Sequence, residues 1–147
     1  MGSYSVAVRA TNVASQLCCW ELRTAAGVPA LIFELGISIA GNSSNQIYVL
    51  ARAPIRGITP TSPVTVLADD NNGPAGNTQV AIAWSGAPPA LVASNYLRRL
   101  TPNVPSGVGS GIIWTFPIGL LVPPASSLAL FTLSIASALD IWVNLDE

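Results

Sequence analysis

The sequence predicts an all-β chain folded as a single sandwich domain over residues 1–147, and two observations carry that expectation. Twelve prolines and twelve glycines are spread along 147 residues. Few intervals between them are long enough for a helix, because proline removes a helical hydrogen bond and glycine costs backbone entropy. Between these breakers the large apolar residues recur at every second position, the spacing that places them on one face of a strand.

The clearest element is Leu31, Phe33, Leu35, Ile37 and Ile39, separated by small or polar residues such as Glu34, Gly36 and Ser38. Upstream, Val6 and Val8 alternate with Ser5 and Ala7, and Trp20 and Leu22 alternate with Cys19, Glu21 and Arg23. Downstream the same rule picks out Ile47, Val49 and Ala51, a short strand at Val64, Val66 and Ala68, then Val80, Ile82 and Trp84, then Ile112, Trp114 and Phe116. The last two strands are Leu128–Ile135, whose phase slips at Leu130-Phe131 as at a bulge, and Ile141, Val143 and Leu145. About eight or nine short strands separated by turn residues point to a sandwich of the jelly-roll kind. Two loops are long. One is the Asp69–Asn77 turn cluster, and the other runs from Gly86 to Gly109 with a short helix expected over Leu91–Leu100.

A chain of 147 residues has a one-domain length, enough to bury about 68–70% of its unfolded surface without a disulfide or metal. Charge is sparse: 9% of residues against about 25% in ordinary soluble domains. All six basic residues are arginine, and no charge occurs from Leu100 to Leu139. Either other subunits cover much of the outside, or Ser, Thr, Asn and Gln supply the solubility; the first is the expectation, because bare apolar surface associates.

Net charge is −1 and the six arginines are scattered, which argues against the basic stripe of a nucleic-acid binder. Mean hydropathy is high, +0.53, yet Pro123-Pro124 interrupts the best spanning window, Ile118–Leu139. The N-terminus lacks the basic and apolar regions of a secretory signal, so a soluble chain is expected. Cys18 and Cys19 are neighbours in a strand, point to opposite faces, and are expected reduced and structural.

Catalytic chemistry is nearly excluded. With no histidine and no lysine there is no neutral-pH general base of the usual kind, no Ser-His-Asp or Cys-His set and no Schiff-base amine. Zinc ligands are too few. A carboxylate pair of Glu21 and Glu34 is the one conceivable exception, and the plainer reading is two surface carboxylates pairing with Arg23 or Arg52. Asp69-Asp70-Asn71-Asn72 offers oxygen ligands, but without the spacing of a calcium loop it reads as a turn. No catalytic residue, cofactor site or metal site is expected. Of the four tryptophans, Trp84 and Trp114 fall in phase with core positions. Trp142 is out of phase with Ile141, Val143 and Leu145, so it is either exposed or held in a subunit contact.

The stretches Gly111–Pro117, Gly119–Pro123, Ser127–Leu130 and Ile141–Glu147, together with Thr59–Asp69, resemble small jelly-roll virion proteins of tailed bacteriophages, of the head-decoration and minor-capsid type. The resemblance implies a non-enzymatic subunit made in the host cytoplasm and built into a virion. Its partners would be copies of itself, often as a trimer, and other virion proteins. Contacts are expected at Trp142, at Leu91, Tyr96, Arg98 and Arg99 of the 91–100 segment, and at Leu120 and Leu121 in the uncharged Pro117–Pro124 loop. The alternative is a carbohydrate- or receptor-binding module of a tail or fibre, for which exposed tryptophans would line a groove.

Overall fold

The computed structural model describes residues 2–11, 17–40, 47–101, 111–133 and 138–147. Its strands are β1 (Ser3–Ala10), β2 (Cys18–Arg23), β3 (Ala30–Ile39), β4 (Tyr48–Arg52), β5 (Val64–Thr65), β6 (Leu67–Ala68), β7 (Gln79–Ala81), β8 (Tyr96–Leu100), β9 (Gly111–Val122), β10 (Ser127–Thr132) and β11 (Leu139–Asp146). They form two antiparallel sheets packed as a sandwich: β6-β1-β11-β3-β9 and β5-β7-β2-β10-β4-β8. No helix among the described residues is long and apolar enough to cross a membrane.

The pairings are nested. β1 pairs with β11, β2 with β10, β3 with β9, β4 with β8, and β5 with β7. The chain is therefore arranged like one long two-stranded hairpin whose tip lies at β5–β7. Four further antiparallel pairings, β11–β3, β10–β4, β2–β7 and β1–β6, roll that ribbon into two layers.

Among the described residues eleven strand segments stand where about eight or nine were expected, for two reasons. The run 64–68 divides at Val66 into β5 in one sheet and β6 in the other. Val66 is fully buried and bonds through its backbone to Thr78 and Gly76, so it acts as a corner joining the sheets. The helix expected over Leu91–Leu100 is also corrected. Only a single 3-10 turn forms, at Ala93–Asn95, and β8 follows it. Ladder pairing with β4 outweighs the weak local helical preference. The expected residues Ile135 and 102–109 lie outside the described ones.

Between the sheets lies the main core. Leu35, Ile37 and Ile39 of β3 meet Ile141, Val143 and Leu145 of β11 on one side, and Trp20, Leu22, Tyr48, Leu50, Leu128 and Leu130 on the other. The expected slip at Leu130-Phe131 is a true register shift against β2. Leu130 then joins this core and Phe131 turns outward. On β3 the expected five-residue stripe breaks at its start: Ile32 is buried while Phe33 is exposed, because the register with β9 shifts between Ile32 and Glu34.

A second, smaller cluster forms on the outer face of the six-stranded sheet: Cys18, Val49, Ala51, Ala53, Ala129 and Phe131, with Trp84, Leu91, Tyr96 and Leu133 packed on it. Its cover is made by two irregular segments, 53–62 and 83–95, cross-linked by backbone bonds Ile58 N to Ala87 O, Thr61 N to Ala83 O and Ser85 N to Thr59 O. Cys18 belongs to this outer cluster and Cys19 to the main core. The two thiols are free and buried, and burial raises the pKa of both.

Candidate functional site

Three places concentrate chemistry or unfinished surface: the buried carboxylate of Glu21, the acidic corner near Asp69, and the lateral edge formed by β8 and β9.

Glu21 points from β2 into the space beneath the outer cover and is fully buried. A carboxylate cannot stay ionised there unless its oxygens are satisfied. Gly57 N donates to Oε1 at 3.0 Å, Trp84 Nε1 donates to Oε2 at 3.0 Å, and Arg23 Nη1 lies 3.3 Å from Oε2. Arg23 Nη1 also donates to the Gly57 carbonyl at 2.8 Å. A side chain at Gly57 would run into the Trp84 indole and the Glu21 carboxylate, so only glycine lets the loop approach this closely. Arg56 completes the group. Its Nε is buried without a partner, and burial, then the Arg23 charge, lower its pKa while Glu21 opposes them. The arrangement pins the outer cover to β2.

The conceivable pairing of the two glutamates is not found. Glu34 lies on β3 of the other sheet, where Oε1 accepts from Trp142 Nε1 at 3.0 Å and Asn144 Nδ2 at 3.3 Å. It shares no partner with Glu21. The expectation of Glu21 as a surface carboxylate is corrected too, since it is paired with Arg23 but in the interior.

In the acidic corner, Asp69 accepts hydroxyl bonds from Ser3 at 2.8 Å and Ser5 at 2.7 Å, and Asp70 Oδ1 accepts Asn72 N at 3.1 Å. These are turn and strand-end bonds. Glu147 accepts backbone N–H groups of Asn77 and Thr78. Among the described residues no three His, Cys, Asp or Glu side chains gather as a metal site.

All four tryptophans are buried or half-buried. Trp20 and Trp114 belong to the main core. Trp84, expected in the core, sits instead on the outer cluster with its N–H on Glu21. Trp142 lies flat over Gly36, where a β-carbon would overlap its ring, with its N–H on Glu34.

Of the residues expected at subunit contacts, the structure gathers several at one lateral edge. Arg98 and Arg99 are exposed on β8, and the Arg98 guanidinium stands 5.4 Å from the centroid of Phe116 on β9. Leu121 is exposed on β9, while Leu120 is half-buried against the core. Leu91 and Tyr96 are half-buried on the outer cluster. Trp142 stands apart, on the outer face of the five-stranded sheet.

Sequence reasoning placed the Pro117–Pro124 run at the contacts as a loop without singling out Ile118, its most exposed member, and the run is strand as far as Val122. β9 pairs with β3 on one side only, and in its middle Phe116, Pro117, Ile118 and Gly119 bow out opposite the single residue Phe33. Gly119 has φ +77, and a side chain there would strike Leu31. The bow sets Ile118 at its tip with 92% of its surface exposed. Ile113, Leu121 and Phe33 are exposed beside it. The signal available in sequence was the Pro-Ile-Gly triplet inside an apolar strand.

Compared with known proteins, the chain matches no family model, no curated protein and no solved structure.

Proposed function

We propose that this chain is a non-enzymatic structural subunit that works by packing against copies of itself in a larger assembly. The observation that carries the reading is the β9 edge. It is a twelve-residue strand without a charge, open on one side, and it holds Ile118 out in solvent. Sheet edges in solitary proteins are usually short, charged or covered. Exposed apolar residues in a continuous group mark contact surfaces. Pro117 and the bow prevent a neighbouring strand from pairing along the whole edge, so side chains rather than a continued sheet make the contact.

The finer form of the proposal is a jelly-roll virion protein, a decoration, cement or minor-capsid subunit on a phage head, with three copies around a threefold axis. The nested strand pairs support a jelly-roll reading, since a rolled two-stranded ribbon is the topology of that fold. The β5–β7 hairpin attaches beside β2, so the two sheets hold five and six strands. Trp20 and Trp114 are buried, and Trp84 and Trp142 are half-buried with their N–H groups on Glu21 and Glu34, which favours the assembly reading over the glycan-binding alternative.

Sedimentation velocity of the purified chain, alone and then mixed with tailed-phage heads, tests both levels. Self-association followed by co-sedimentation with heads is the expected result. A species that sediments as a monomer throughout contradicts the assembly reading. Association without any co-sedimentation contradicts the finer form.

A further inference from the structure

Six of the thirteen charged side chains, Arg52, Arg98, Arg99, Asp69, Asp70 and Glu147, stand at or beside the two lateral edges of the sandwich and are divided between them by sign. Among the described residues two ion pairs form, Arg9–Asp140 and Arg23–Glu21. Arg52, Arg98 and Arg99 have no carboxylate partner. They stand on β4 and β8 beside β9: Arg52 Nη1 donates to the Leu121 carbonyl at 3.0 Å, and Arg98 lies over Phe116. On the opposite edge, where Val66 joins the two sheets, stand Asp69, Asp70 and Glu147, bonded only to hydroxyl, amide and backbone N–H groups. Four or five strand spacings separate these edges, roughly 20 Å.

Apolar exposure follows the same division. The basic edge carries Ile113, Ile118 and Leu121, and the acidic edge carries Val64 and Leu67, the latter 63% exposed. Each edge therefore has an apolar centre and a charged flank, of opposite sign to the other.

We propose that the basic β8/β9 edge of one copy docks on the acidic β5/β6 corner of the next, as a head-to-tail interface between copies of this chain. The inference rests on the assembly reading above and names its contact surfaces. The occupant is a second copy because the chain itself supplies the complementary charge. The geometry is head-to-tail because a two-fold pairing of β8/β9 edges would set Arg98 and Arg99 near their own counterparts, and like charges in a contact repel. Apolar packing around Ile118 and Leu67 holds the contact, and the charges choose the partner edge. A repeated head-to-tail contact closes into a ring where the rotation allows, a trimer included, and otherwise extends as a filament.

Two charge reversals on exposed side chains test it: Arg99→Glu at the basic edge and Asp70→Arg at the acidic corner. Arg99 makes no side-chain bond, and Asp70 bonds only within its own turn. Circular dichroism checks that each variant keeps the fold. Mass by light scattering is then measured for the wild type, each variant and the double variant that carries both reversals. The expected result is an associated wild type, about tenfold or greater weakening in either variant alone, and recovery in the double variant, where the exchanged charges again meet with opposite sign at every contact. An associated wild type with Asp70→Arg unaffected overturns the head-to-tail interface and leaves the assembly reading standing. An associated wild type whose double variant stays apart also overturns it. A wild type that never associates removes both.

Discussion

Replacing Glu21 with alanine strips the acceptor from beneath the outer cover and leaves three donors behind. Gly57 N–H and Trp84 Nε1–H, both at 3.0 Å from the carboxylate, lose their partner; a donor left buried without one costs about 1–3 kcal/mol, and the part-buried indole falls at the low end. Arg23 loses its counter-charge while Arg56 keeps its like charge nearby, so the full cost of breaking the buried pair is about 3–5 kcal/mol. A domain of ordinary stability has about 5–15 kcal/mol in all, so the variant sits close to its unfolding limit. Urea denaturation followed by tryptophan fluorescence reads this as a large fall in midpoint with an unchanged slope. Trp84→Phe removes one donor and costs about 1–2 kcal/mol. The double variant costs less than the two single losses summed, because both remove the same bond and the orphaned indole N–H is gone. A Glu21→Ala variant within about 1 kcal/mol of wild type would refute the claim that this carboxylate pins the cover.

Three further outcomes follow from the same structure. Burial raises the thiol pKa values of Cys18 and Cys19 and the phenol of Tyr48 above their ordinary 9.0 and 10.0. The unfolded chain releases these protons first, so stability is complete below about pH 9 and is lost as pH rises, by about 1.4 kcal/mol per pH unit for each group; an unfolding midpoint that stays flat from neutral pH into the alkaline range contradicts this. Gly36→Val forces the Trp142 ring off the sheet and breaks its bond to Glu34, with an expected cost of about 1–3 kcal/mol and a red shift in tryptophan emission; unchanged emission and stability speak against the packing described. Ile118→Asp alters a side chain 92% exposed, so thermal unfolding moves by no more than about 0.5 kcal/mol while self-association weakens; association equal to wild type removes Ile118 from the contact.

Much of the sandwich was legible because half-buried strands announce themselves by alternation. The face of Ile141, Val143 and Leu145, the inward Trp114 and Phe116, and the bulge at Leu130-Phe131 could all be read locally. Other features depend on distant partners. Phe33 continues the apolar stripe in sequence, yet four bowed residues of β9 opposite it shift the register and turn it outward. Tyr96–Leu100 contains Leu97-Arg98-Arg99-Leu100, which has no period of two, and only pairing with β4 makes it a strand. Glu21 was correctly placed opposite Trp20 and Leu22. That opposite face is interior because segments more than thirty residues away fold over it. The contact edge was half legible: the arginine pair and the uncharged 117–124 run were visible, while the opposed acidic corner emerges only once β5 and β6 are seen to join the sheets at the far side.

The central claim is that this chain functions in contact with copies of itself. Its most direct test is the absolute mass of the purified chain by light scattering over a concentration series. The account predicts a mass that exceeds the 15.2 kDa of one chain, settling on a whole-number multiple for a closed ring and growing with concentration for a filament. A constant monomer mass up to the highest soluble concentration would contradict it, and the uncharged β9 edge would then be the surface of a solitary protein.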